Sequence, residues 1–210
     1  MSSTRGPAFT CTSGHSTTPA WARELNTALL DTLASIPVDL AEIRFRPDGH
    51  RGVFIRRGRT VAHGQVLAAY WGRLTLNPSL LSRYLLEMPE LRMAQGTVTP
   101  YVDAHLACTR TEPPPVHAAL FNHKCERPTC CAEWQWPPHG RLPIMVIRTL
   151  SGLSSLRDGS ELTYNYDSYR PSGAYTLSAP DAALASLAGR DPTPCGCAYP
   201  GPCPRDRYMP

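Results

Sequence analysis

From Leu40 onward the β-forming residues come in short runs, at positions 43–46, 52–56, 61–71, 97–108 and 142–150, several of them separated by glycine or charged turn residues. Runs this short and this punctuated read as strands, and they predict a mostly β domain with short helices. The N-terminal part follows a different period. Trp21, Leu25, Leu29 and Leu33 recur every fourth residue after Thr18-Pro19, a cap with proline in the first helical position, until Pro37 ends the pattern. An amphipathic helix is therefore expected within 19–39. Asn77-Pro78 followed by Leu81, Leu85 and Met88 predicts a second, smaller helix inserted between strands. Pro113-Pro114-Pro115 marks a stiff loop, and the alanine-rich stretch 180–188 predicts a short helix ahead of the tail.

Composition narrows the class. At 210 residues the chain is the size of one decorated domain and can bury a core without disulfide staples. Its apolar fraction of 42% is ordinary, and no stretch reaches the roughly 18 to 20 consecutive apolar residues of a membrane-spanning helix. No membrane partner is expected. Residues 1–18 are rich in Ser, Thr and Gly and carry no apolar block of the secretory kind, so they read as an unordered leader in a soluble, intracellular protein. The expected organisation is leader 1–18, helix 19–39, main domain 40–170 and Cys-rich tail 171–210.

In a reducing compartment the eight cysteines point to metal, catalysis or burial, and the clustering of three in the tail favours metal over disulfides. The net charge is +4, with Lys124 the single lysine. The arginines are scattered apart from Arg56-Arg57 with Arg59, which describes a solvated surface. With no dense basic stripe and no base-reading motif, direct sequence-specific nucleic-acid binding is not expected.

Three segments carry the chemistry. The first is His50-Arg51-Gly52-Val53-Phe54, with Gly64-Gln65-Val66-Leu67 and Tyr70-Trp71-Gly72 after it. The second is Leu120-Phe121-Asn122-His123-Lys124-Cys125, with Pro128. The third is Glu161-Leu162-Thr163-Tyr164-Asn165-Tyr166, preceded by Asp158-Gly159. On a strand Tyr164 and Tyr166 point to one face, so two phenol hydroxyls can line one pocket. Together with Cys195-Gly196-Cys197 and Cys203, these segments resemble a SET domain protein-lysine (histone-lysine) methyltransferase with a post-SET zinc segment.

The resemblance covers about residues 40 to 205 and implies a fold of small curved β-sheets with a pseudoknot, in which the Asn-His segment is threaded through a loop of the C-terminal part. It implies that the main chain at Arg51, Gly52 and Val53, together with Asn122 and His123, contacts S-adenosylmethionine, and that Tyr166 is the catalytic tyrosine. Tyr164 would set the product, and Tyr70 would help line the site. Cys125, Cys195, Cys197 and Cys203 would hold a structural zinc, with Cys130 and Cys131 as rival thiols of no necessary role. The chain departs from the family pattern at His50, where glycine is usual, at Ala119, where arginine is common, and by one added residue before Pro128.

The activity so implied is methyl transfer from S-adenosylmethionine to a lysine side chain, on a histone by family habit, giving a mono- or dimethyl product. The partner would be a protein with a lysine-containing tail. A histone substrate would place the enzyme in a nucleus, its own or a host's. A non-histone lysine substrate is the near alternative, and an inactive SET-fold peptide-binding protein is the alternative from another class. A zinc-dependent nucleic-acid binder comes third, lacking a recognition helix with Cys/His spacing.

Overall fold

The computed structural model describes residues 10–11, 20–47, 49–75, 85–93, 96–105, 116–124, 127–136, 143–150, 156 and 159–166. The expected N-terminal helix is α1, Ala20–Ala34. Leu25, Leu29 and Leu33 are buried along one side of it, as fourfold spacing requires, and the helix packs on strands β4 (Val66–Ala69) and β12 (Ile144–Thr149). Ser35 and Ile36 close its last turn, and Pro37 ends it. Fully burying a leucine such as Leu29 contributes about 1.5–3 kcal/mol, so this face anchors the helix to the domain.

The rest is β. The largest sheet runs in the order β2 (Ala41–Phe45), β3 (Arg51–Ile55), β13 (Glu161–Tyr164), β11 (Cys130–Gln135), β12, β4, with the short β10 (Asn122–His123) also paired to β13. A four-stranded sheet has the order β1 (Thr10–Cys11), β5 (Arg73–Thr75), β9 (Tyr101–Asp103), β6 (Leu85–Glu87). β7 (Leu91–Met93) and β8 (Gly96–Val98) form a hairpin. The mostly β expectation with short helical elements therefore holds. Among the described residues no helix is long and apolar enough to cross a membrane.

Several expectations are corrected. Leu85 and Met88 are not on a helix: Leu85–Glu87 pairs antiparallel with β9, and Leu81 lies outside the described residues. A period of three or four in a short stretch is mimicked by a strand followed by a turn, and here sheet pairing decides. Thr10 and Cys11, inside the stretch expected to stay unordered, run parallel beside Arg73 and Leu74. The run 97–108 is two strands with Thr99-Pro100 between them, because proline has no N–H for a ladder. The strand β11 has no counterpart among the expected runs; its Cys130, Ala132 and their neighbours alternate between buried and more exposed positions against β12.

The short strand β13 changes partners along its length. Glu161 and Leu162 pair antiparallel with Phe54 and Val53, whereas Thr163 and Tyr164 pair parallel with Asn122 and His123. On its remaining side Cys130 of β11 pairs with Tyr164, and the Thr129 N–H donates to the Thr163 carbonyl at 3.1 Å. One four-residue strand thus joins three separate parts of the chain. The loop that would complete the expected pseudoknot lies outside the described residues.

Candidate functional site

The three motif segments meet at β13. Asn122 sits where β10 begins, and its side-chain Nδ2 donates to two acceptors: the Arg51 carbonyl at 3.1 Å and Glu161 Oε1 at 2.7 Å. Glu161 also lies 3.6 Å from Arg46 Nη1. An amide, a carboxylate and a main-chain carbonyl are therefore locked together, each brought by a different strand.

Gly52 explains how they come so close. A Cβ at this position would stand 2.7 Å from Glu161 Oε1 and 3.0 Å from Asn122 Nδ2. The glycine leaves space that the protein's own polar side chains fill. Its neighbour Val53 is fully buried and lies between Ile43 and Leu162, so its side chain belongs to the core.

His123 is buried, with Nδ1 accepting the Tyr166 N–H at 3.1 Å. That bond places the proton of the neutral ring on Nε2. The Tyr166 ring lies 4.9 Å from the His123 ring and 4.8 Å from that of Tyr164, both tilted. Its hydroxyl donates to the Phe121 carbonyl at 2.8 Å. The strand itself ends at Tyr164, so the two tyrosines meet through the turn at 165–166 and not through continued alternation. Lys124 N–H closes the arrangement on the Tyr164 carbonyl at 3.1 Å.

Tyr70 is placed by a different set of contacts. Its N–H donates to the Met145 carbonyl at 2.8 Å, and its ring meets His117 edge-on at 5.0 Å. Two residues later Gly72 passes the β9 end so closely that a Cβ would fall 2.3 Å from the Asp103 carbonyl oxygen.

The four expected zinc ligands, Cys125, Cys195, Cys197 and Cys203, all lie outside the described residues. Among the described residues no group of three or more His, Cys, Asp or Glu side chains is arranged to hold a metal. Of the rival thiols, Cys130 is buried in the sheet and burial pushes it up to about 12, against a weaker opposing effect of the Thr129 hydroxyl. A thiol so reluctant to ionise makes a poor ligand or nucleophile and acts as core. Burial also raises Cys131, with Glu133 adding to the effect.

Two residues emerge that the motifs alone do not single out. Glu161 is visible as the first letter of its motif, but its bond to Asn122 depends on register and cannot be read from the letters. His117 carries no signal in the sequence at all.

No protein-family model matches the chain, and no curated protein matches it in sequence. Among solved structures, one similar chain is a Plasmodium falciparum candidate histone methyltransferase, at 14% identity and a TM-score of 0.36, over 61% of this chain and 93% of that one. Another is ctPRC2 in an autoinhibited conformation bound to S-adenosylmethionine, at 16% identity and a TM-score of 0.40, over 64% of this chain and 16% of that one. Both scores fall below one half, so the reading of the site rests on its own residues.

Proposed function

We propose that this chain is a SET-type methyltransferase that moves the methyl group of S-adenosylmethionine to a protein lysine, with a histone tail as the first substrate to test. The observation that carries the reading is the convergence at β13: Asn122 bonded to Arg51 and Glu161, and His123 bonded to Tyr166. Residues far apart in sequence, singled out by their resemblance to one family, are neighbours in space.

S-adenosylmethionine fits the chemistry of this corner. Both Asn122 Nδ2 hydrogens are taken by Arg51 and Glu161, so what this corner offers a zwitterionic methionine group is the half-buried Glu161 carboxylate as an acceptor for its ammonium. When bound, the cosubstrate supplies an electrophilic methyl carbon. The attacking group is the substrate amine, which at its solution pKa of about 10.4 is almost wholly protonated at neutral pH. An aromatic, poorly hydrated channel favours the neutral amine by desolvation. In this reading Tyr164 and Tyr166 wall that channel, Tyr166 orients the amine, and Tyr70 supports the wall. Alignment and fixed dipoles would then supply much of the rate.

Four cysteine thiolates are the donor set of a closed, structural zinc site. Cys125, Cys195, Cys197 and Cys203 would form it, tying the tail beside the Asn-His segment with no open position for chemistry.

The deciding experiment incubates the full chain with labelled S-adenosylmethionine and core histones. Transfer that disappears in Tyr166→Phe supports the enzyme and the histone substrate. Transfer only to other lysine-containing proteins moves the substrate to the non-histone class. Neither transfer nor cofactor binding overturns the reading in favour of an inactive peptide-binding protein.

A further inference from the structure

We propose that His117 is a positioning residue for this site: it clamps the Tyr70-Trp71-Gly72 segment to the turn before β10 and thereby fixes the Phe121 carbonyl on which Tyr166 rests. The significance for catalysis rests on the methyltransferase reading; the clamp itself does not.

His117 is 2% exposed, yet both ring nitrogens have main-chain partners. Nδ1 accepts the Ala119 N–H at 3.0 Å and so caps the 3-10 turn Ala118–Leu120. Because Nδ1 accepts, the neutral ring carries its proton on Nε2, which donates to the Trp71 carbonyl at 2.8 Å. The Trp71 N–H also lies 3.3 Å from Nε2, but a protonated nitrogen cannot accept, and the shorter contact to the carbonyl is the bond. The ring is packed between Tyr70 at 5.0 Å and Trp71 at 4.1 Å, and the His117 main chain makes a parallel bridge to Ala69.

The rest of the connection is short. The Leu120 N–H bonds the His117 carbonyl at 3.0 Å and the Phe121 N–H bonds the Ala118 carbonyl at 3.2 Å, closing the turn. The next carbonyl, that of Phe121, receives the Tyr166 hydroxyl at 2.8 Å. Movement of the turn must therefore move the acceptor of Tyr166. A neutral histidine suits this place because one flat ring supplies an acceptor and a donor on opposite sides, and no other side chain spans both.

Two substitutions separate the halves of the clamp. His117→Asn keeps an acceptor near Nδ1 for the Ala119 N–H and gives up the reach to Trp71; His117→Gln offers a donor toward Trp71 and gives up the cap. The test incorporates 3-fluorotyrosine, assigns the Tyr166 signal by its loss in Tyr166→Phe, and records fluorine spectra of both variants after checking cooperative melting.

The expected result is a displaced Tyr166 resonance in His117→Gln, larger than in His117→Asn, with kcat for lysine methylation at least tenfold lower and KM for S-adenosylmethionine within twofold. An unmoved Tyr166 resonance in folded variants overturns the inference. If His117→Gln does not fold, His117→Asn carries the same test against the wild type. A displaced resonance in a protein that transfers no methyl group leaves the clamp standing and removes the enzymatic reading.

Discussion

The Tyr166 hydroxyl donates its proton to the main-chain carbonyl of Phe121, which lies 45 residues upstream, at 2.8 Å. A phenol held in this way has a fixed direction.

Tyr166→Phe removes that oxygen while keeping the ring contacts to His123 and Tyr164. Methyl transfer should fall by about 100-fold or more, the scale of losing a fixed polar group at a reacting centre. Stability should fall by only about 1 kcal/mol, for one hydrogen bond. Parallel transfer assays and thermal melts check both; equal, large losses in each would remove Tyr166 from the chemistry.

Tyr164 is 5% exposed and stacks at a tilt on Tyr166, so its hydroxyl occupies room that a phenylalanine would leave open. Tyr164→Phe is expected to carry a mono- or dimethyl product to higher methylation. Intact-mass analysis of the product peptide reads this directly, and an unchanged distribution discards the role.

Gly52 and Gly72 respond differently to alanine. At Gly72 the new Cβ meets main chain at 2.3 Å, which cannot swing aside, and Gly72→Ala should lose about 3 kcal/mol. At Gly52 it meets the end of the Glu161 side chain, which can swing aside by giving up its bond to Asn122, so Gly52→Ala should lose about 1 kcal/mol. If this corner holds S-adenosylmethionine as proposed, its affinity should nevertheless drop in Gly52→Ala, because the Glu161 carboxylate is displaced. Denaturant melts and calorimetric titration with S-adenosylmethionine separate the two.

Burial pushes His117 down to about 4 from an ordinary 6.5, with the bond to Trp71 opposing the shift. The folded protein keeps this ring neutral while the unfolded chain protonates it below about pH 6.5. Its contribution is therefore complete above pH 6.5 and is lost as pH falls toward 4, by about 3 kcal/mol in all. Stability measured between pH 7 and 4 should fall less steeply in His117→Asn than in the wild type. Equal slopes would mean that the ring is not shut away from water.

If the tail thiols hold zinc as proposed, a strong chelator should abolish transfer and added zinc should restore it. The far-ultraviolet β signal should persist, since the sheets around β13 are built from residues up to 166. Loss of that signal on chelation would make the metal part of the main fold.

Leucine spacing makes α1 legible because the repeat runs unbroken over 13 residues, longer than an ordinary strand, between a proline-bearing cap and Pro37. The strands β2, β3 and β12 are legible from dense β-branched and aromatic runs. β11 is not: Cys130-Cys131-Ala132-Glu133 has weak strand preference, and only its partners β12 and β13 make it one. The motif letters name Asn122, His123 and Tyr166, but the bonds among them depend on register between distant strands. Glu161 and His117 stay hidden for that reason, since each acquires its meaning from a main-chain group more than 40 residues away or from a neighbour across the sheet.

In strand order, β13 lies between the β2–β3 pair and the β11–β12–β4 group, although it is the last of these strands to be synthesised. Among the described residues, a growing chain that has not yet produced 161–164 holds two half-sheets with raw, unsatisfied margins. Open strand edges of this kind are prone to pair with another chain until 161–164 is in place. A stop codon anywhere before residue 161 should yield an aggregate, not a shortened protein that merely lacks its tyrosines.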